Sequence, residues 1–181
     1  MALILNGQAN TIGGLAAGGL PDDSVTTADV NFSPGKILQV VTATNTTAKT
    51  IAGTSFVDTD LTCDITPSAT SSKVLVHVSH FIEQDRFSGG DTLGCAIQLL
   101  RDSTVIKYAK GGGKYISVPE ESNYIVWNGI ETFFILDSPS STSALTYKTQ
   151  AKENHADQST TLNGGSATEG ISMIVLMEVS G

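Results

Sequence analysis

Alternation of apolar and polar side chains is sharpest in Lys73-Val-Leu-Val-His-Val-Ser-His-Phe-Ile82. Val74, Val76, Val78, His80 and Ile82 fall on one side, and Leu75, His77, Ser79 and Phe81 on the other. A period of two means a β-strand, and the β-branched content suits a pleated, half-buried surface. Residues 171–179 form a second run, apolar on both faces. The two runs are far apart in sequence, and the pattern predicts that they pair as the inner strands of one sandwich.

The rest of the chain repeats the signal in shorter pieces. Residues 37–44 are strand-like, and 45–49 read as a turn. The stretch 54–58 leads into 61–66, where Leu61, Cys63 and Ile65 alternate with polar partners. Further strands are expected over 93–101, 105–108, 130–137 and 144–150, with a tight turn at Arg101-Asp-Ser-Thr104. Residues 83–91 and 152–170 are polar and read as connections, and 109–128 is the least regular stretch. About eight to ten short strands without a helix predict an all-β fold, an antiparallel β-sandwich or jelly roll.

Residues 1–35 differ. Asn6-Gly7, Gly13-Gly14, Gly18-Gly19 and Ser33-Pro34-Gly35 break them every few residues. Between the breaks stand isolated apolar side chains, among them Leu3, Ile4, Leu5, Ile12, Leu15, Leu20 and Phe32. Such a segment is too broken to form a core and too apolar for a solvated tail. An extended N-terminal arm lying on another protein satisfies both facts. The expected division is an anchoring arm, 1–35, and a sandwich domain, 36–181.

Composition narrows the functional classes. The net charge of −8 and the lack of any basic run argue against nucleic-acid or anionic-membrane partners. No apolar run approaches the roughly 18 residues of a membrane helix, and the first eight residues lack the basic segment of a secretory signal. Folding in a cytosol is therefore expected, with Cys63 and Cys95 as buried thiols, although spacing alone leaves a disulfide open.

Candidate chemistry is thin. Gly111-Gly-Gly-Lys114 lacks the flanking glycine and hydroxyl residue of a phosphate loop. His77 and His80, three apart on a strand, point to opposite faces, and His155 lies in a polar loop, so no zinc site is expected. Asp58, Asp60 and Asp64 lack the spacing of a calcium loop and read as solvated carboxylates. Glu131 stands alone among apolar neighbours and reads as a surface or inter-subunit group rather than an acid catalyst. The expectation is no enzyme, no metal and no cofactor.

Several short matches in order carry a resemblance. They are Ile65-Thr-Pro-Ser-Ala-Thr-Ser-Ser-Lys-Val, Ile97-Gln-Leu-Leu-Arg-Asp-Ser-Thr-Val-Ile106, Phe134-Ile-Leu-Asp-Ser-Pro139, Thr146-Tyr-Lys-Thr-Gln150 and Val175-Leu-Met-Glu-Val179. Over residues 36–181 the chain resembles a family of virion proteins of marine and cyanobacterial bacteriophages. Their module is similar to the trimeric jelly roll of complement and tumour-necrosis-factor heads. The arm's Gly19-Leu-Pro-Asp-Asp-Ser-Val-Thr-Thr27 resembles anchoring segments of phage fibres. The resemblance implies a structural protein of the virion exterior, assembled in the host cytoplasm, with a capsid or tail protein as partner. A capsid decoration or cement protein is the first expectation, because the long shaft of most relatives is missing. A short tail fibre gripping a host-surface glycan is the second. Threefold assembly is expected to cover the second apolar face of the strands, placing Phe133, Ile135, Ile174 and Leu176 in a homotrimer interface.

Overall fold

The computed structural model describes residues 4–6, 11–13, 35–86, 94–109, 125–155, 158–164 and 170–181. By their internal contacts the residues divide into two compact units, Met1–Ser33 and Pro34–Gly181. In the first unit, β1 (Ile4–Asn6) pairs antiparallel with β2 (Thr11–Gly13), Leu5 opposite Ile12. The sequence pattern gave no sign of this hairpin, because two three-residue strands are too short to show a period.

The second unit is the antiparallel β-sandwich that the alternation predicts. Its strands are β3 (Ile37–Asn45), β4 (Lys49–Ile51), β5 (Val57–Ile65), β6 (Lys73–Arg86), β7 (Cys95–Arg101), β8 (Thr104–Ala109), β9 (Ile125–Asp137), β10 (Leu145–Glu153), β11 (Gln158–Leu162) and β12 (Ser172–Val179). One sheet has the order β5-β10-β7-β8; the other runs β3-β12-β6-β11-β4, with β9 also paired to β6. The chain passes from one sheet to the other after most strands, as in a jelly roll.

Strand β6 holds the large sheet together. Along one edge it pairs β12 from Lys73 to Ser79 and then β11 from Ile82 to Arg86; along the other it pairs β9 from Val74 to Arg86. Its even positions Val74, Val76, Val78, His80, Ile82 and Gln84 are all buried against the small sheet. Ile174 and Leu176 of β12 extend this inner layer. Leu61, Cys63 and Ile65 of β5, Ile97 and Leu99 of β7, and Leu145, Tyr147 and Ala151 of β10 meet it from the other side. Burying each Val, Leu or Ile contributes roughly 1.5–3 kcal/mol, so this two-layer core dominates the stability of the unit.

Several boundaries differ from the pattern, among them the start of β9 at Ile125, inside the stretch that reads as least regular. Residues 83–86 continue β6 because the polar Gln84 is fully buried, in register with Trp127. Strand β11 lies in what reads as a polar connection, because its buried positions include Gln158 and Thr160. Gln158 is satisfied by Gly94, and the Thr160 N–H donates to Glu153 Oε1 at 3.1 Å. Burial here follows hydrogen bonding rather than hydropathy. Strand β4 lies in what reads as the end of a turn, and Thr50 and Ile51 pair with Thr161 and Thr160. The tight turn at Arg101–Thr104 is present, with Asp102 in the left-handed region at φ 53°.

Candidate interaction face

The outer face of the large sheet follows from the pairing register. Residues directly opposite on neighbouring strands share a face. One row across the sheet is Val40, Met177, Leu75 and Leu136; the next is Thr42, Val175, His77 and Phe134; a third is Thr44, Met173, Ser79 and Thr132. Phe81 and Ile130 begin a fourth. None of these side chains is Asp, Glu, Lys or Arg, and Lys73 and Glu83 bracket them along β6.

Exposure varies across the face. On β9, Ile130, Phe134 and Leu136 are 66%, 62% and 51% exposed, and on β3 Val40 is 52% exposed. Between these margins Val175 is only 9% exposed, and Met173, Met177, Leu75 and Ser79 are half-buried. The His77 and Phe134 rings stack at 4.2 Å with 4° between their planes, which fixes the raised Phe134 over β6. The central strands β12 and β6 are covered by neighbours on both sides, and the edge strands β9 and β3 expose more of their side chains. Ile37 and Leu38 add apolar surface where the β3–β12 register shifts. An uncharged apolar face of this extent is what contact surfaces expose.

The polar machinery is internal. Asn163 Nδ2 donates to the Thr47 carbonyl at 3.1 Å, which leaves Asn163 Oδ1 to accept from the Ser172 hydroxyl. With its proton so committed, Ser172 Oγ accepts from His80 Nδ1 at 2.9 Å. His80 Nε2 then accepts from Thr149 Oγ1 at 2.9 Å, and Thr149 Oγ1 meets Thr59 Oγ1 at 2.6 Å. The chain of bonds fixes the Nδ1–H tautomer and ties the two sheets together. A serine beside a histidine invites a nucleophile reading, but Ser172 is fully buried and His80 only 1% exposed. No substrate reaches them. Burial holds the His80 pKa down at about 4, so the ring is neutral near pH 7.

Other ionisable groups are engaged in structure. Glu178 is 1% exposed and accepts from Ser68 N at 2.7 Å, Ser68 Oγ at 2.6 Å and Gln39 Nε2 at 2.7 Å. Desolvation raises its pKa, yet these hydrogen bonds together outweigh it and hold the carboxyl at about 2. Asp137 Oδ2 receives Arg101 Nη1 at 2.6 Å and the Tyr147 hydroxyl at 2.7 Å. On the exposed face of the small sheet, Asp58 accepts from Gln150 and Lys148, whose hydrogen bonds lower its pKa. Asp60 pairs with Lys49 at 2.6 Å, and Asp64 accepts from Thr146. Asp58, Asp60, Thr62 and Lys148 line a hollow of about 240 Å³. No group of three metal-ligating side chains occurs among the described residues.

The structure places the sequence-read residues unevenly. Phe133, Ile174 and Leu176, expected at a trimer interface, lie in the protomer's own core, at 8%, 0% and 0% exposure, and Ile135 packs against that core. The correction has a plain cause: β9 and β12 are apolar on both faces, and the small sheet covers the even positions of β12 and the odd positions of β9. The uncovered set is Ile130, Phe134 and Leu136 with Met173, Val175 and Met177. Of the arm residues, Ile4, Leu5 and Ile12 have their backbone in β1 and β2. Leu3, Leu15, Leu20 and Phe32 lie outside the described residues, as does Gly111-Gly-Gly-Lys114. His77 and His80 do face opposite ways. Glu131 is half-buried in register with His80, its pKa raised by desolvation. Cys63 and Cys95 are buried and form no disulfide.

No protein-family model matches the sequence, and neither does any curated protein. Among solved structures, the VP2 subviral particle of infectious bursal disease virus aligns with a TM-score of 0.35 at 13% identity, covering 78% of this chain and 38% of that one. The T=1 particles derived from the same virus align at 0.36 and 16%, covering 90% and 40%. Dimeric latent PorU from Porphyromonas gingivalis aligns at 0.35 and 11%, covering 82% and 14%. The chain spans less than half the length of each. Overlap this loose assigns neither a family nor a function.

Proposed function

We propose that this chain is a non-enzymatic structural protein of a phage virion: a homotrimer that decorates or cements the outside of the capsid. The observation that carries this reading is the uncharged apolar outer face of the large sheet, set against buried histidine and serine groups that only brace the sandwich. A protein so arranged is built to assemble. In this reading residues 1–35 seat the trimer on the shell through Leu3, Ile4, Leu5, Ile12, Leu15, Leu20 and Phe32, and 36–181 form the assembling domain. The sequence resemblance to phage virion proteins supports the same location. Three arms on one trimer bind together, so avidity compensates the entropy of ordering each glycine-rich segment.

A second reading, a short tail component that binds a host-surface glycan, is favoured by the hollow at Asp58, Asp60, Thr62 and Lys148, which offers sugar hydroxyls both acceptors and donors. Locating the protein on imaged particles separates the two. Hundreds of copies spread over the shell are expected; a few to a few dozen at the tail would favour the glycan binder, and absence from particles would end both readings. Arm-deleted protein added to particles lacking it should fail to bind.

A further inference from the structure

We draw no further inference here: the strongest candidate, the apolar outer face of the large sheet with Ile130, Phe134 and Leu136 exposed on β9, carries nothing beyond the proposal above, because nothing in the structure shows what covers it.

Discussion

The buried His80 makes the sandwich acid-sensitive in a definite window. In the fold its pKa is about 4, against 6.5 for an ordinary histidine, because burial disfavours the charged ring. As pH falls below 6.5 the unfolded chain takes up a proton that the folded chain refuses. Stability is thus complete above pH 6.5 and is lost progressively until pH 4, below which both states are protonated and the loss stops growing. At about 1.36 kcal/mol per pKa unit, the shift amounts to about 3 kcal/mol, a large share of a small domain's stability. Two carboxyls act in the opposite sense. Glu131, in register with His80, and Glu153 have raised pKa values, both chiefly from desolvation, so their protonation stabilises the fold as pH falls. The clean measurement is therefore a difference. Urea denaturation of wild type and of His80→Gln at half-unit steps from pH 7.5 to 3.5 should show the wild type losing stability relative to the variant between pH 6.5 and 4. Glutamine can still donate to Ser172 and accept from Thr149 but cannot titrate. Parallel curves would refute the reasoning, and so would a histidine signal showing Nε2–H rather than the Nδ1–H tautomer.

Three other outcomes are expected. Glu178→Gln should cost about 1–3 kcal/mol, since an amide cannot accept all of the bonds from Ser68 and Gln39; the wild-type contribution, present above about pH 4.5, should fade toward pH 2 and be missing from the variant in acid denaturation curves. Phe133→Ala should cost about 3–5 kcal/mol in urea denaturation, because Phe133 is in the core. Cys63 and Cys95 should resist a thiol reagent at pH 8 until the protein unfolds, as both are buried and desolvation raises both thiols, Cys95 to about 12; rapid native labelling would contradict that burial.

Much of the fold was legible because period two is a local signal. The alternation over 73–82 and 61–66, and the hydrophobic run at 171–179, gave strands that the structure keeps, and β6 pairs with β12 as expected. Strand β11 was hidden because its inward side chains are Gln158 and Thr160, whose burial depends on bonds with Gly94, far along the chain, and with Glu153 across the preceding turn. The hydroxyl and imidazole bridge between the sheets was hidden for the same reason. His80, Ser172, Thr149, Thr59 and Asn163 show no common spacing, and only the folded topology brings them together.

The choice of face was the deeper difficulty. A strand apolar on both sides announces two dry faces but not which one belongs to the protomer. In β9, Phe133 and Phe134 are adjacent and chemically identical, yet one is 8% exposed and the other 62%. What decides between them is the pairing phase: Phe133 stands opposite Val78 and Phe134 opposite His77. Val78 belongs to the inward row of β6 because Val74, Val76 and Ile82 make that row the more apolar one, and His80 within it is satisfied by Thr149 of the other sheet. The phase of β6 thus fixes which row of β9 turns inward, and leaves Phe134 to whatever the face meets. A one-residue slip of β9 against β6 would exchange the two rows. Depending on its direction it would also place Thr132 or Ile130, in place of Glu131, beside His80. The phase that builds the core and the phase that exposes Phe134 are one and the same.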